Sequence, residues 1–394
     1  MTHSSEAQAF LTRLLSRALG VGIGGLVLCL LGYWLHPAQF FHSYLLAYLF
    51  WCSLTLGCLA LAMLHHLVGG AWGALILRLL EAGAGTLPLM IVGFVPLYFG
   101  LDALYPWARP EAVATDALLQ HKSPYLNVRF FLLRTAVYFA IWLLLAVILS
   151  RWSHRREQAA GRPTALVWQH RLRLLSAPGL GLYALTMTFA AVDWVMSLEP
   201  YWYSTIYGVL LIVGQILVTL AFAIVVLRQL AAFEPFVEVV TPGHVHDLGN
   251  LLLAFVMLWA YMAFSQFLII WSGNLPEEIP WYLHRTRGGW QAIGVLLLVL
   301  HFALPFVLLL ARTSKRRVER LATIAVGLVV MHWLELFWLV MPALHPTALH
   351  VHWLDLVAPC GVGGFWLVTF IWQLRRHALL PLHDPRLQKV AQHE

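Results

Sequence analysis

Ten apolar stretches, each long enough to cross a bilayer, recur along a chain of 394 residues and leave little room for anything else. A membrane-crossing helix needs about 20 apolar residues. Hydrocarbon offers no hydrogen-bond partners, so a spanning segment must be a helix or a strand of a closed barrel. These runs are long and lack period-2 alternation, which argues for helices. The pattern predicts an all-α integral membrane protein, one polytopic domain over 1–394, with ten transmembrane helices at 17–35, 43–65, 74–100, 130–150, 174–197, 204–228, 248–272, 288–311, 320–342 and 353–374. No soluble domain of any size fits between them. Arg13 and Arg17 precede a first run that lacks a small-residue cleavage site, so a retained helix is expected rather than a signal peptide.

Charge fixes the expected orientation. The net charge is +7. Placing the amino terminus in the cytoplasm puts nineteen Lys and Arg on that side, among them six arginines from Arg151 to Arg173, five basic residues from Arg312 to Arg320, and Arg375, Arg376, Arg386 and Lys389. Six remain outside: Arg109, Lys122, Arg129, Arg134, Arg285 and Arg287. This is the positive-inside pattern, so both termini are expected in the cytoplasm and no nucleic-acid partner is expected. The outer connections 101–129 and 273–287 are punctuated by proline and carry aromatic residues. They suit partner docking, although simple helix connection explains them as well.

The cysteines Cys29, Cys52, Cys58 and Cys360 all fall in apolar segments, where small buried hydrophobes are expected. Neither a c-type haem motif nor an iron–sulfur cysteine cluster is present in the sequence. Nineteen histidines raise a haem or metal reading, but only His301 and His332 fall mid-span. The cluster His244, His246, Asp247 reads better as a helix start, with Asp247 near the amino end of the seventh helix, than as a metal site. No metal and no covalently bound cofactor is expected.

The ionisable residues inside the spans carry the functional signal. Arg78 and Glu81 share a helix face at a spacing of three, and His65 and His66 close the preceding helix on the same side. His332 and Glu335 repeat that spacing near mid-membrane, with His301 at similar depth. Toward the other side lie Asp193, Glu199 and Asp355; Gln215, Tyr261, Ser265 and Gln266 add polar groups. A charge at the bilayer centre costs about 3 kcal/mol or more, so these groups must face protein or water. Each alone is explained by interhelical hydrogen bonding. As a set crossing from one interface to the other, they are better explained as a proton route.

Several motifs, spread over residues 64 to 365, carry a family resemblance. They are His65-His-Leu-Val-Gly-Gly-Ala-Trp-Gly73 with Arg78, Glu81 and Thr86-Leu-Pro-Leu-Met90; His121-Lys-Ser-Pro-Tyr-Leu-Asn127; Asp193-Trp-Val-Met-Ser-Leu-Glu-Pro200; and Asp247-Leu-Gly-Asn250. The longest runs from Ala254 through Ser265-Gln266 to Ile270 and on to Pro280-Trp-Tyr-Leu-His-Arg285. Together they resemble the ActF-type membrane subunit of alternative complex III, a bacterial quinol:cytochrome c (or other high-potential acceptor) oxidoreductase. The resemblance implies the polysulfide-reductase type of membrane subunit, with two four-helix bundles plus peripheral helices, in a bacterial cytoplasmic (inner) membrane. It implies partners too: a related quinol-oxidising membrane subunit, a multihaem cytochrome c, an iron–sulfur protein and small subunits, with a terminal oxidase as a further candidate neighbour.

The resulting expectation is a subunit without its own redox cofactor. Protons would enter near His65, His66, Arg78 and Glu81, pass His301, His332 and Glu335, and leave near Asp193 or Asp355. Two alternatives stand beside it: a structural scaffold with no proton role, and a quinone-binding subunit whose site would draw on Asp193, Glu199 or His284.

Overall fold

The computed structural model describes residues 5–381. Arg386, Lys389, His383 and His393 lie outside the described residues. Within them the chain is helical, without strands, and ten helices are long and apolar enough to cross a membrane: α1 Glu6–Leu35, α2 Pro37–Val68, α3 Ala71–Phe99, α4 Val128–Gln158, α5 Thr164–Leu198, α6 Tyr207–Leu230, α7 Pro242–Gly273, α8 Trp290–Leu310, α9 Val318–Leu344 and α10 Leu354–Arg375. Such a chain is a multi-pass membrane protein.

Several helices outrun the apolar stretches that announced them. α4 continues to Gln158 and α5 begins at Thr164, where arginine-bearing turns extend each helix past its apolar part. α3 is less regular, being built of Ala71–Ala84, Leu87–Gly93 and Val95–Phe99. Pro88 and Pro96 each open a new segment, since proline brings no backbone N–H to the preceding turn. At the first break the Thr86 hydroxyl and N–H both donate to the Gly83 carbonyl, at 2.7 and 3.1 Å.

α7 starts a turn earlier than its acidic residue suggested. Thr241, not Asp247, is the cap: its hydroxyl accepts from the His244 N–H at 3.3 Å, and His244 Nδ1 accepts from the Thr241 N–H at 3.4 Å. This reciprocal arrangement satisfies two otherwise orphan donors. In α8, residues Leu297–Ala303 form a π-helical segment. Pro305 follows four residues after His301, so its ring crowds the His301 carbonyl and a wider turn relieves the clash.

α2 is the hub. About two thirds of its residues are buried, and it packs against α3, α5, α6 and α10. α6 in turn packs on α7 and α9, and α8 lies against α7 and α9. α1 is peripheral and rests chiefly on α10. There Gly22 and Gly25 meet Gly364 and Gly361 backbone to backbone, with no room for a Cβ between the helices. The outward faces of α1, α7 and α8 carry Leu, Val, Ile and Phe.

Cys29, Cys52 and Cys58 are buried as expected of small hydrophobes, but Cys360 is exposed, because it sits on the outward face of α10 beside the glycine seam. Tyr261 also points outward, whereas Gln266 and Gln215 are buried.

Candidate functional site

Titratable side chains gather in three tiers along the bundle. The first is at the arginine-rich end, where α3, α4 and α10 meet. Arg78 is buried and forms ion pairs with both Glu81, one turn along α3, and Glu157 at the end of α4. His154 Nδ1 stands 3.2 Å from Arg78 Nη1, and its ring stacks on His377 at 3.7 Å. Burial holds the His377 imidazole below its ordinary value, and the Arg78 charge pushes the same way. Arg78, Glu81, His154 and His377 supply, with Gln373, the polar floor of a cavity of about 250 Å³. Its walls are apolar, from Ala82, Pro88, Leu143 and Val147. The Ser153 side chain is a further hydrogen-bond partner of Glu81. His65 is fully buried, lies edge-on to Trp72 at 5.8 Å and touches His66 at 5.7 Å.

The second tier is mid-bundle and joins α7, α8 and α9. His332 Nδ1 and Glu335 Oε2 are 2.8 Å apart, one helical turn along α9. The Trp259 indole of α7 donates to Glu335 Oε1 at 2.5 Å. His301, turned inward on the π-helical segment, stacks on Trp259 at 4.3 Å. His332 lies beside Phe50 at 6.1 Å, so each imidazole packs on an aromatic ring. All three titratable residues are at most 3% exposed. Gly214 on α6 permits this fit, since a Cβ there would stand 3.1 Å from His332 and 3.3 Å from Glu335. The His301 ring has the Met331 backbone within hydrogen-bonding reach, and Nε2 of His332 lacks a protein partner. Buried polar atoms are rarely left so, and ordered water is the ordinary remedy.

At the opposite end stand three carboxylates in different settings. Asp193 is wholly buried and saturated. It accepts from Arg134 Nε at 2.9 Å, Arg134 Nη2 at 2.7 Å and the Tyr138 hydroxyl at 2.8 Å. The Tyr125 ring covers the guanidinium at 3.8 Å. Asp355 is buried too, and accepts from Ser43 at 2.5 Å, Gln39 at 3.3 Å and the N–H of His352, just before α10, at 2.8 Å. Glu199 differs. One oxygen accepts from buried Arg285 at 2.8 Å, while the other meets the half-exposed His284 at 3.2 Å. Burial would raise the Glu199 carboxyl, but the Arg285 charge and the His284 hydrogen bond outweigh it and hold the group below the usual glutamate range.

The structure therefore brings together His332, Glu335 and His301, and separately Arg78 and Glu81. It does not join these clusters by hydrogen bonds among the described residues. Between them lie a Thr55–Thr86 hydroxyl pair at 2.8 Å, the Trp366 indole donating to Thr55 at 2.8 Å, and Tyr183 donating to Gln215 at 2.6 Å. A void of about 10 Å³, room for about one water, adjoins Gln215, Ser53 and Leu336.

Sequence reasoning missed Trp259, Glu157, His154 and the arginine partners of Asp193 and Glu199. Arg134 and Arg285 were visible only as charges counted on the outer side, yet an arginine in or near an apolar span with an acid in another span is itself a pairing signal. Also missed was Lys315, buried near the arginine-rich end with its ammonium on Asn250 Oδ1 at 2.8 Å. Among the described residues no three His, Cys, Asp or Glu side chains form a group able to hold a metal ion. Comparison with protein-family models and with curated proteins finds no match for this chain.

Proposed function

We propose that the chain is a membrane subunit of a bacterial respiratory quinol:cytochrome c (or other high-potential acceptor) oxidoreductase complex, carrying no redox cofactor of its own and contributing a transmembrane proton path. The observation that carries this reading is the mid-bundle cluster of His301, His332 and Glu335. Three titratable groups are kept in the least favourable part of the bundle, and Nε2 of His332 is left without a protein partner. A purely structural contact would be expected to use up its donors and acceptors, as Asp193 does.

On this reading protons enter through the cavity floored by Glu81, His154 and His377, and reach Glu335 by way of waters near Thr55 and Gln215. His332 and Glu335 exchange a proton across their 2.8 Å contact. The distribution of arginine supports cytoplasmic termini, and the motif resemblance supports two four-helix bundles and the electron-carrying partners named above.

Two other readings each have one observation in their favour. The saturated Asp193 and Asp355 sites suit a scaffold. The cavity beside Glu81, apolar in its walls and polar at its floor, suits a bound quinone headgroup better than the Glu199–His284 pair does. Isolation of the chain with its native neighbours tests the proposal. Co-purification with haem-bearing and iron–sulfur subunits and with quinol oxidation is the expected result. A haem spectrum from this polypeptide alone, or isolation of the chain without redox partners, would overturn it.

A further inference from the structure

Opposite the arginine-rich end, five imidazoles form a continuous array. They come from the α1–α2 turn (His36), the start of α2 (His42) and the link between α9 and α10 (His345, His350 and His352). Ring centroids of successive members stand 5.3 Å apart for His42–His345, 4.5 Å for His345–His350, 6.1 Å for His350–His352 and 5.4 Å for His352–His36. Two chain segments some 300 residues apart are thus joined through titratable rings. At such spacings two charged neighbours repel each other strongly.

The α9–α10 link is pinned at separate points. The Trp290 indole donates to the His345 carbonyl at 3.2 Å, and the Leu349 N–H donates to the Gly288 carbonyl at 2.7 Å. Near α10 the His352 N–H donates to Asp355 Oδ2 at 2.8 Å, and the Leu354 N–H donates to His352 Nδ1 at 3.3 Å. The last bond needs a bare Nδ1, so His352 is held as the neutral ring with its proton on Nε2. A second proton turns that acceptor into a donor and takes a partner from Leu354, the first residue of α10. The new charge would also face the amino end of α10, where a cation is disfavoured. Asp355 lies toward His345 and His352, and Arg109 lies toward His42. One carboxylate therefore faces the array together with a guanidinium, too little to balance several imidazolium charges. Burial holds His345 and His352 below the ordinary histidine value; the neighbouring imidazoles push the same way and Asp355 opposes them.

We propose that the array of His36, His42, His345, His350 and His352 is an acid-operated latch on the α9–α10 link. With the rings neutral, the link lies closed on the α1–α2 turn. Charging adjacent rings sets like charges side by side and breaks the Leu354–His352 bond, and the link is released. The open link binds more protons than the closed one, so opening is favoured as pH falls below the ordinary histidine value of about 6.5. Release also frees Asp355 from the His352 N–H. On the proton-path reading this is the step at which that carboxylate meets outer water; the latch itself does not depend on that reading.

Hydrogen–deuterium exchange of the full chain in lipid nanodiscs tests the latch, read on peptides covering 345–356 at about pH 7.5 and about pH 5 and corrected for the intrinsic pH dependence of exchange. One imidazole of ordinary value near 6.5 that charges only in the open link raises the open fraction roughly 30-fold over that interval. The parent should therefore lose about 10- to 30-fold of its protection in these peptides, while peptides of α6 keep theirs. The double variant His350→Gln/His352→Asn should lose less than about threefold, since neither replacement can charge and the His352→Asn side chain keeps an oxygen to accept from Leu354. Unaltered protection of 345–356 in the parent overturns the latch, and so does a full parental loss in the double variant. Should the double variant fail to fold, His350→Gln decides, because that ring is exposed. It should cut the parental loss by about threefold or more, and an undiminished loss overturns the proposal.

Discussion

Asp193→Asn separates a structural carboxylate from a conducting one. The substitution keeps the volume but removes the negative charge that faces Arg134 across 2.7 and 2.9 Å contacts. Asp193 is wholly buried, and the Arg134 side chain is only 10% exposed, so solvent screens little of the loss. Removing one partner of a buried pair costs about 3–5 kcal/mol, because the other charge is left uncompensated. For a chain of 394 residues, an unfolding entropy near 2.1 cal/mol/K per residue turns this into a fall of roughly 4–6 °C in melting temperature. Helices that persist in detergent lower that entropy and enlarge the shift. Buried Cys52 and Cys58 report unfolding through a thiol-reactive fluorophore, in a Cys360→Ala background that removes the exposed thiol. The double variant Arg134→Met/Asp193→Leu should regain much of the loss, since apolar replacement of a buried pair is often neutral. A melting point for Asp193→Asn within about 1 °C of the parent would refute the anchoring role. An unchanged melting point together with reduced proton translocation would move Asp193 back onto the route.

Two further predictions follow from other parts of the bundle. At the α1–α10 seam, a Cβ on Gly361 would stand 3.0 Å from the Gly25 backbone, which cannot yield as a side chain can. Gly361→Val should therefore cost about 1–3 kcal/mol in the same melting assay, whereas Gly20→Val, with nothing near its added atoms, should be neutral; equal melting points would refute the seam. Glu199 has a depressed carboxyl in the folded chain, so its contribution to stability is fully present above the ordinary glutamate value of 4.5 and is lost as pH falls through the lower folded value. Melting temperature followed from about pH 5 to pH 3 should fall more steeply in the parent than in Glu199→Gln, and parallel curves would contradict the Arg285 assignment.

Much of the fold is legible in the sequence because bilayer thickness imposes it: ten apolar runs became ten helices. The ends were legible less well. Apolar runs mark where lipid would lie, while α4 and α5 extend into arginine-bearing turns that an apolar count does not see. The cap of α7 was misplaced to Asp247 because an acid near a helix start is the commoner signal, and a histidine completing a capping box with Thr241 is not. The π-helical segment in α8 was not legible, since Pro178, Pro342 and Pro359 lie inside helices that stay regular. In the site, the spacing of three predicted the His332–Glu335 contact, since helix geometry alone decides it. The Trp259 donor, 76 residues from Glu335, and the Arg134 partner, 59 residues from Asp193, come from other helices, and local spacing carries no trace of them.

The ratio of protons translocated to electrons transferred, measured in proteoliposomes of the complex with Glu335→Gln, bears most directly on the central claim that buried acids and histidines in this chain carry protons. Trp259 can still donate to the glutamine oxygen, so the bundle should assemble and quinol oxidation should proceed. The account predicts a lower ratio, and Glu81→Gln should lower it as well. A parental ratio in both variants, in complexes of normal yield, would contradict it.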